Sequence, residues 1–192
     1  MATFLTHPLI PLAMAAGLGR APVTKRLLAA GMIASILPDA DVLAFYFRIG
    51  YDHPFGHRGF THSIFFAVLI GLPGLAAARA FGTTRIAAFL FLFVSTVSHG
   101  LLDALTNGGL GIAFFAPFDN TRYFLPWQVI EVSPITTSRF LSARGWAVIQ
   151  SELLWVWLPA ITLGMLLLVL RLGLSRLRKI TPSPGGRRAT TS

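Results

Sequence analysis

Five strongly apolar segments dominate this chain, and little separates them. They run from about Phe4 to Gly19, Leu27 to Phe47, Ser63 to Phe81, Ile86 to Thr106 and Leu153 to Leu172. The third, fourth and fifth have the length of a membrane span, about 20 residues for a 30 Å hydrocarbon core. The first is short, and Pro38 interrupts the second, ending or kinking a helix near Leu37. Hydrocarbon admits only helices and closed barrels, and segments of this length predict helices. The composition agrees: 54% of the 192 residues are hydrophobic and 12% are charged, against roughly 25% charged in an ordinary soluble domain. The expected fold is all-α, an integral membrane bundle of about five transmembrane helices. Residues 1–172 form the membrane domain, and the basic stretch 173–192 forms a disordered tail. The N-terminal MATFLTHPLI lacks a basic n-region, so no cleaved signal peptide is expected. Cysteine is absent, which excludes disulfides and thiolate metal sites.

Threading the chain alternately through a membrane places every acid and every histidine on one face. These are Asp39, Asp41, Asp52, Asp103, Asp119, Glu131 and Glu152, with His7, His53, His57, His62 and His99. That face carries Arg48, Arg58, Arg122, Arg139 and Arg144. The opposite face carries Arg20, Lys25, Arg26, Arg79, Arg85, Arg171, Arg176, Arg178, Lys179, Arg187 and Arg188, and no acid. The positive-inside rule makes the basic face cytoplasmic. The chain is therefore expected in the inner (cytoplasmic) membrane as a multi-pass protein, with its C-terminus inside and its acids and histidines outside. The net charge of +9 follows from this topology. The tail lacks the interleaved aromatics of a nucleic-acid surface, so no nucleic-acid partner is expected.

The polar residues fall in three groups at segment ends. In SHGLLDALT, His99 and Asp103 are spaced i, i+4, so both lie on one helix face, suited to one metal or to a simple hydrogen bond within the bundle. In LPDADVL, Asp39 and Asp41 repel each other unless a cation lies between them, and negative charge at a helix C-terminus opposes the dipole. In HRGFTHS, His57 and His62 can approach one cation. Gly59 permits a tight turn, Thr61 can cap the following helix, and Arg58 can meet a phosphate or a carboxylate. His7, in THPLI, is either interfacial or a ligand, and His53 has the weaker claim. Nitrogen and oxygen donors gathered in this way suit a divalent metal, most simply Zn²⁺, as one to three ions.

These motifs resemble the YdjM-like family of membrane-bound metal-dependent hydrolases, whose pattern is similar to that of zinc-dependent phospholipase C. The matching stretches are THP at 6–8, LPDADVL at 37–43, HRGFTHS at 57–63, SHGLLDALTNGG at 98–109 and PFDNTRYFLPW at 117–127, within about residues 1–135. The resemblance implies metal-binding roles for His7, Asp39, His57, His62, His99 and Asp103, with Asp41 as a further ligand or the base. The phospholipase C pattern has a further histidine and glutamate downstream. No histidine follows His99 here, and Glu131 and Glu152 are the candidates for a replacement ligand. The expected function is metal-dependent hydrolysis of a phosphoester in a membrane lipid or lipid-linked substrate, with Asp41 and Arg58 catalytic and Arg122, Tyr123 and Trp127 at the substrate. The alternative is a non-catalytic metal-binding membrane protein or a metal or proton transporter. A transporter is disfavoured because the basic face offers no acid or histidine to complete a path across the bilayer.

Overall fold

The computed structural model describes residues 1–134 and 136–180. Among them every regular element is helical, and the extended pairings are the isolated bridges Thr106–Ile130 and Ile112–Tyr123. The helices are α1 (Leu9–Leu18), α2 (Lys25–Ile36), α3 (Ile64–Phe81), α4 (Arg85–Ala104), α5 (Thr137–Phe140), α6 (Ala143–Glu152) and α7 (Leu158–Ile180). A 3₁₀ helix (Leu37–Phe47) continues α2, and a π turn (Leu153–Trp157) joins α6 to α7. Four stretches are long and apolar enough to cross a membrane: Lys25–Phe47, Ile64–Phe81, Arg85–Ala104 and Ala143–Arg176. The shorter apolar helix α1 stands beside them. This is the helical membrane bundle that the apolar segments predict.

Local chemistry sets most helix starts. Thr24, Ser63 and Thr84 each accept a hydrogen bond from the backbone N–H three residues on, capping α2, α3 and α4. Ser63 therefore takes the capping role expected of Thr61, whose hydroxyl instead donates to Asp41 at 2.7 Å.

Helix α4 is the central element. It buries Ala88, Phe91, Leu92 and Ser95 against α2 and α3, and continues into the buried pair His99 and Asp103. Close approach depends on small residues, as is usual where lipid supplies no hydrophobic drive between helices. A Cβ on Gly31 of α2 would collide with the Phe91 ring, and one on Gly74 of α3 would lie 3.1 Å from the Ala88 backbone.

Two elements differ in their bounds from those expected. The last helix begins near Ala143 rather than Leu153, because the polar, amphipathic α6 runs straight into the apolar α7. Helix α7 also extends to Ile180, so residues 173–180 of the expected tail are helical, and 181–192 lie outside the described residues.

The loop 105–134 folds back as a cap over the end of the bundle where His7, Asp39, His62, His99 and Asp103 meet. Leu125 N–H donates to Ala104 O at 2.9 Å, Ile64 N–H to Phe114 O at 3.0 Å, and Ser133 N–H to Met1 O at 2.9 Å. Beneath it Glu152 is buried and accepts from Thr3 N–H, Thr3 Oγ1 and Thr6 Oγ1, at 2.5, 2.6 and 2.7 Å, tying the N-terminal segment to the last span.

Candidate metal centre

The 3₁₀ geometry after Pro38 separates the two carboxylates of PDAD. At three residues per turn, each residue advances by about 120°, so Asp39 and Asp41 point about 240° apart. Each consequently meets a different side of His62. Asp39 joins His62, His99 and Asp103 in one buried group, and Asp41 joins His57 and His62 in another; within each group the possible ligand atoms lie within 4.8 Å of one another. His62 belongs to both through opposite ring nitrogens. Its Nδ1 is 3.1 Å from Asp41 Oδ2, and its Nε2 is 3.7 Å from both Asp39 Oδ1 and Asp103 Oδ2.

The hydrogen-bond partners fix the tautomers. His99 Nδ1 lies 2.8 Å from the Ser35 carbonyl, which can only accept, so Nδ1 carries the proton and Nε2 presents a lone pair. His62 Nδ1 faces the Asp41 carboxylate, so in the neutral ring Nε2 is again bare. The two Nε2 atoms are 3.0 Å apart, and His99 Nε2 is 3.3 Å from Asp39 Oδ1. Both oxygens of Asp39, Oδ2 of Asp103 and both ring nitrogens of His7 are buried without a hydrogen-bond partner. Buried polar atoms are rarely left unpaired. Converging lone pairs and carboxylate oxygens of this kind could hold a cation between them, and this donor set of nitrogens and oxygens fits a divalent metal.

His7 stacks on His99 with ring centroids 3.7 Å apart, and its Nε2 is 3.8 Å from Asp103 Oδ1. Burial, with His99 next in effect, pushes the His7 pKa down to about 3, so the ring stays neutral and able to ligate. Burial alone would also depress His62, but its contacts with Asp103, Asp39 and Asp41 outweigh burial and hold it well above its ordinary value. Without metal, a proton on His62 therefore supplies the positive charge.

Asp41 is placed differently from Asp39, because its oxygens are already occupied. Oδ1 accepts from His57 Nδ1 at 2.6 Å, and Oδ2 from Arg58 N–H at 3.0 Å as well as from Thr61. Asp41 thus holds His62 and His57 in place from behind, the arrangement in which a carboxylate orients a metal-binding imidazole. His57 Nε2 has no protein partner among the described residues, and the ring lines a cavity of about 330 Å³ together with Tyr51, Gly109 and Arg139.

The two arginines expected to hold a phosphate are engaged by the protein. Arg58 is fully buried: Nε is 3.3 Å from Asp103 Oδ2, while the terminal nitrogens donate to Gly108 O and Thr106 Oγ1 at 2.7 and 2.9 Å. Its backbone is left-handed, with φ 65°, an uncommon conformation for a non-glycine residue. The Asp41 contact and the buried guanidinium hold it there. Arg122 donates to the carbonyls of His57, Tyr51 and His53, clamping the loop before His57. Tyr123 Oη lies 3.4 Å from Asp119 Oδ2, and Trp127 is 74% exposed; neither is among the residues lining the cavity beside His57. His53 accepts from Phe55 N–H, away from the cluster. Glu131 pairs with Arg144 at 2.7 Å, and Glu152 holds the N-terminal segment, so neither joins the ligand groups.

Several participants escape a reading of motifs. Ser35 acts through its carbonyl, and Ala2 through an N–H donated to Asp103 Oδ1 at 2.6 Å. Backbone groups leave no trace in residue type. Thr61 stands inside HRGFTHS, and its proximity to Asp41 becomes visible only with the fold.

The E. coli (strain K12) "Inner membrane protein YbcI" is 48% identical over 168 residues, covering 86% of this chain and 97% of that protein. No solved structure matches the chain. The family model described as "YdjM inner membrane protein" matches residues 1–176, so the likeness extends beyond the His and Asp motifs through the last span. The helical bundle, the buried His–Asp cluster at its end and this match agree: the chain belongs to the YdjM inner membrane protein family.

Proposed function

We propose that this protein is a membrane-embedded hydrolase that uses one divalent metal, Zn²⁺ by its donor set, to cleave a phosphoester of a lipid or lipid-linked substrate. One observation carries the reading: a cluster of unpaired buried ligands lies next to an Asp41-oriented His57 that opens on a cavity. Asp39, His62, His99 and Asp103 would hold the ion, with His7 against them. A metal held there would supply polarisation of a phosphoryl oxygen and a lowered pKa for bound water.

The chain's own residues supply the proton chemistry. Asp41 accepts Nδ1–H of His57 and keeps Nε2 as the basic nitrogen. Nε2 takes a proton from water as its oxygen forms a bond to phosphorus. The same proton passes to the leaving alkoxide as its bond to phosphorus breaks. Arg58 acts as a positioning residue: it holds Asp103 and offers nothing to a phosphate directly.

The test is release of phosphate or headgroup from phospholipids and lipid pyrophosphates by zinc-loaded protein in vesicles. Turnover that depends on metal and on His57 supports the reading. Bound metal with no release across that panel would leave a non-catalytic metal-binding membrane protein.

The orientation proposed here puts the site on the outer face and the C-terminus in the cytoplasm, supported by the distribution of basic residues. A cytoplasm-active reporter fused after Ser192 is expected to be active, and a periplasm-active one silent. The reverse pattern would overturn the outward-facing site.

Metal binding should also depend on pH. Because His62 is held above its ordinary value, its proton stabilises the metal-free protein below about pH 6.5. That contribution disappears as pH rises through the raised value. A metal must displace the proton, so its affinity grows with pH. The difference in melting temperature between zinc-loaded and zinc-free protein is expected to widen from pH 5.5 to pH 8.5. A constant difference would argue against ligation by His62.

A further inference from the structure

We infer that the cavity beside His57 is a two-compartment site for an anionic phospholipid, with Arg139 as its phosphate anchor. The inference rests on the lipid reading above and names the residues that would recognise the substrate. Two cavities adjoin at the capped end of the bundle, of about 260 and 330 Å³. Each is near the lower end of the range for ligand sites, and they share Met1, Ser133, Pro134 and Thr136 in their walls. The first is completed by Thr3 and the apolar Phe4, Val42 and Phe140. The second is completed by Tyr51, His57, Gly109, Val132 and Arg139.

Their placement gives the pair a direction. Val42 belongs to the span-length stretch Lys25–Phe47, so one wall of the apolar compartment comes from a span. Phe4 in its wall is 62% exposed. Tyr51, Gly109 and Arg139 all lie outside the span-length stretches, Gly109 in the cap itself. The arrangement matches an amphiphile standing in the outer leaflet, with its chain towards the hydrocarbon and its headgroup towards the cap.

The charge is selective as well. Arg58 and Arg122 are engaged by protein acceptors. Arg139 lines the polar compartment, and its guanidinium has no hydrogen-bond or ion-pair partner among the described residues. A guanidinium suits the paired oxygens of a phosphate. A phosphate held between Arg139 and His57 would place its ester within reach of Nε2.

The test is lipid binding by full-length zinc-loaded protein in neutral detergent, read by native mass spectrometry. The probes are dioleoyl phosphatidic acid, dioleoylglycerol and inorganic phosphate. Phosphatidic acid is expected to bind at least tenfold more tightly than either of the others. Arg139→Gln should remove that preference, and Arg139→Lys should restore part of it. Thr136→Trp, at an exposed position on the shared wall, should block phosphatidic acid without changing zinc content. Unchanged phosphatidic acid binding in Arg139→Gln would overturn the inference, as would equal binding of diacylglycerol, equal binding of inorganic phosphate, or no binding to the wild type. These outcomes do not depend on turnover. Binding that needs Arg139 without hydrolysis would remove only the catalytic reading, whereas hydrolysis indifferent to Arg139 would remove only this site.

Discussion

Replacing His99 with Ala is expected to strip bound zinc from the proposed metal centre while leaving the bundle inserted in the membrane. His99 is locked through Nδ1 to the Ser35 carbonyl, and its Nε2 points into the cluster, 3.0 Å from His62 Nε2 and 3.3 Å from Asp39 Oδ1. Partners behind a ligand are typically worth about 10–100-fold in metal affinity, so loss of the ligand itself should cost roughly 100-fold or more. Asp39→Asn should do nearly as much, because both Asp39 oxygens lack a protein partner. Asp41→Asn should cost only about the 10–100-fold of a supporting carboxylate. Zinc content after equilibration against a chelator series measures the ranking. Equal affinity in wild type and His99→Ala would remove His99 from the ligand set. If Asp41→Asn lost metal before Asp39→Asn did, the partition between these two carboxylates would be reversed.

That partition is where the sequence stops being sufficient. Alternating the apolar segments brings His7, Asp39, His62, His99 and Asp103 to one end of the bundle, and the structure packs them there. Segment length carries that information, since a span has few ways to run. The roles within the cluster depend on finer geometry. Asp39 and Asp41 look equivalent in PDAD and diverge only because the chain tightens into a 3₁₀ helix beyond Pro38. Arg58 reads as a free cation until the fold surrounds it with Asp103, Thr106 and Gly108. The early start of the last helix is hidden because Ala143–Glu152 is amphipathic rather than uniformly apolar. Glu152, 149 residues from Thr3 in sequence, meets the N-terminal segment only through packing.

His57→Gln is expected to abolish turnover while the metal stays bound. Sequence motifs alone group His57 with the ligands, but the structure gives its Nδ1 to Asp41 at 2.6 Å and places the residue in the cavity wall. A hydrogen bond of that length leaves no room for an ion between the two groups. General acid–base groups contribute about 10²–10⁴-fold to rate, and a loss of that size in kcat is expected on a lipid phosphoester. The amide of Gln can keep a contact with Asp41 but has no basic nitrogen, so the loss tests proton transfer rather than packing. The pH profile supplies the independent reading: the limb that reports the base should vanish in His57→Gln. If His57→Gln instead loses zinc in parallel with activity, His57 is a ligand of a second ion and the Asp41–His57 pair is not a base. If zinc and turnover both survive, proton transfer belongs to another group, and Asp39 becomes the nearest alternative because its oxygens have no protein partner.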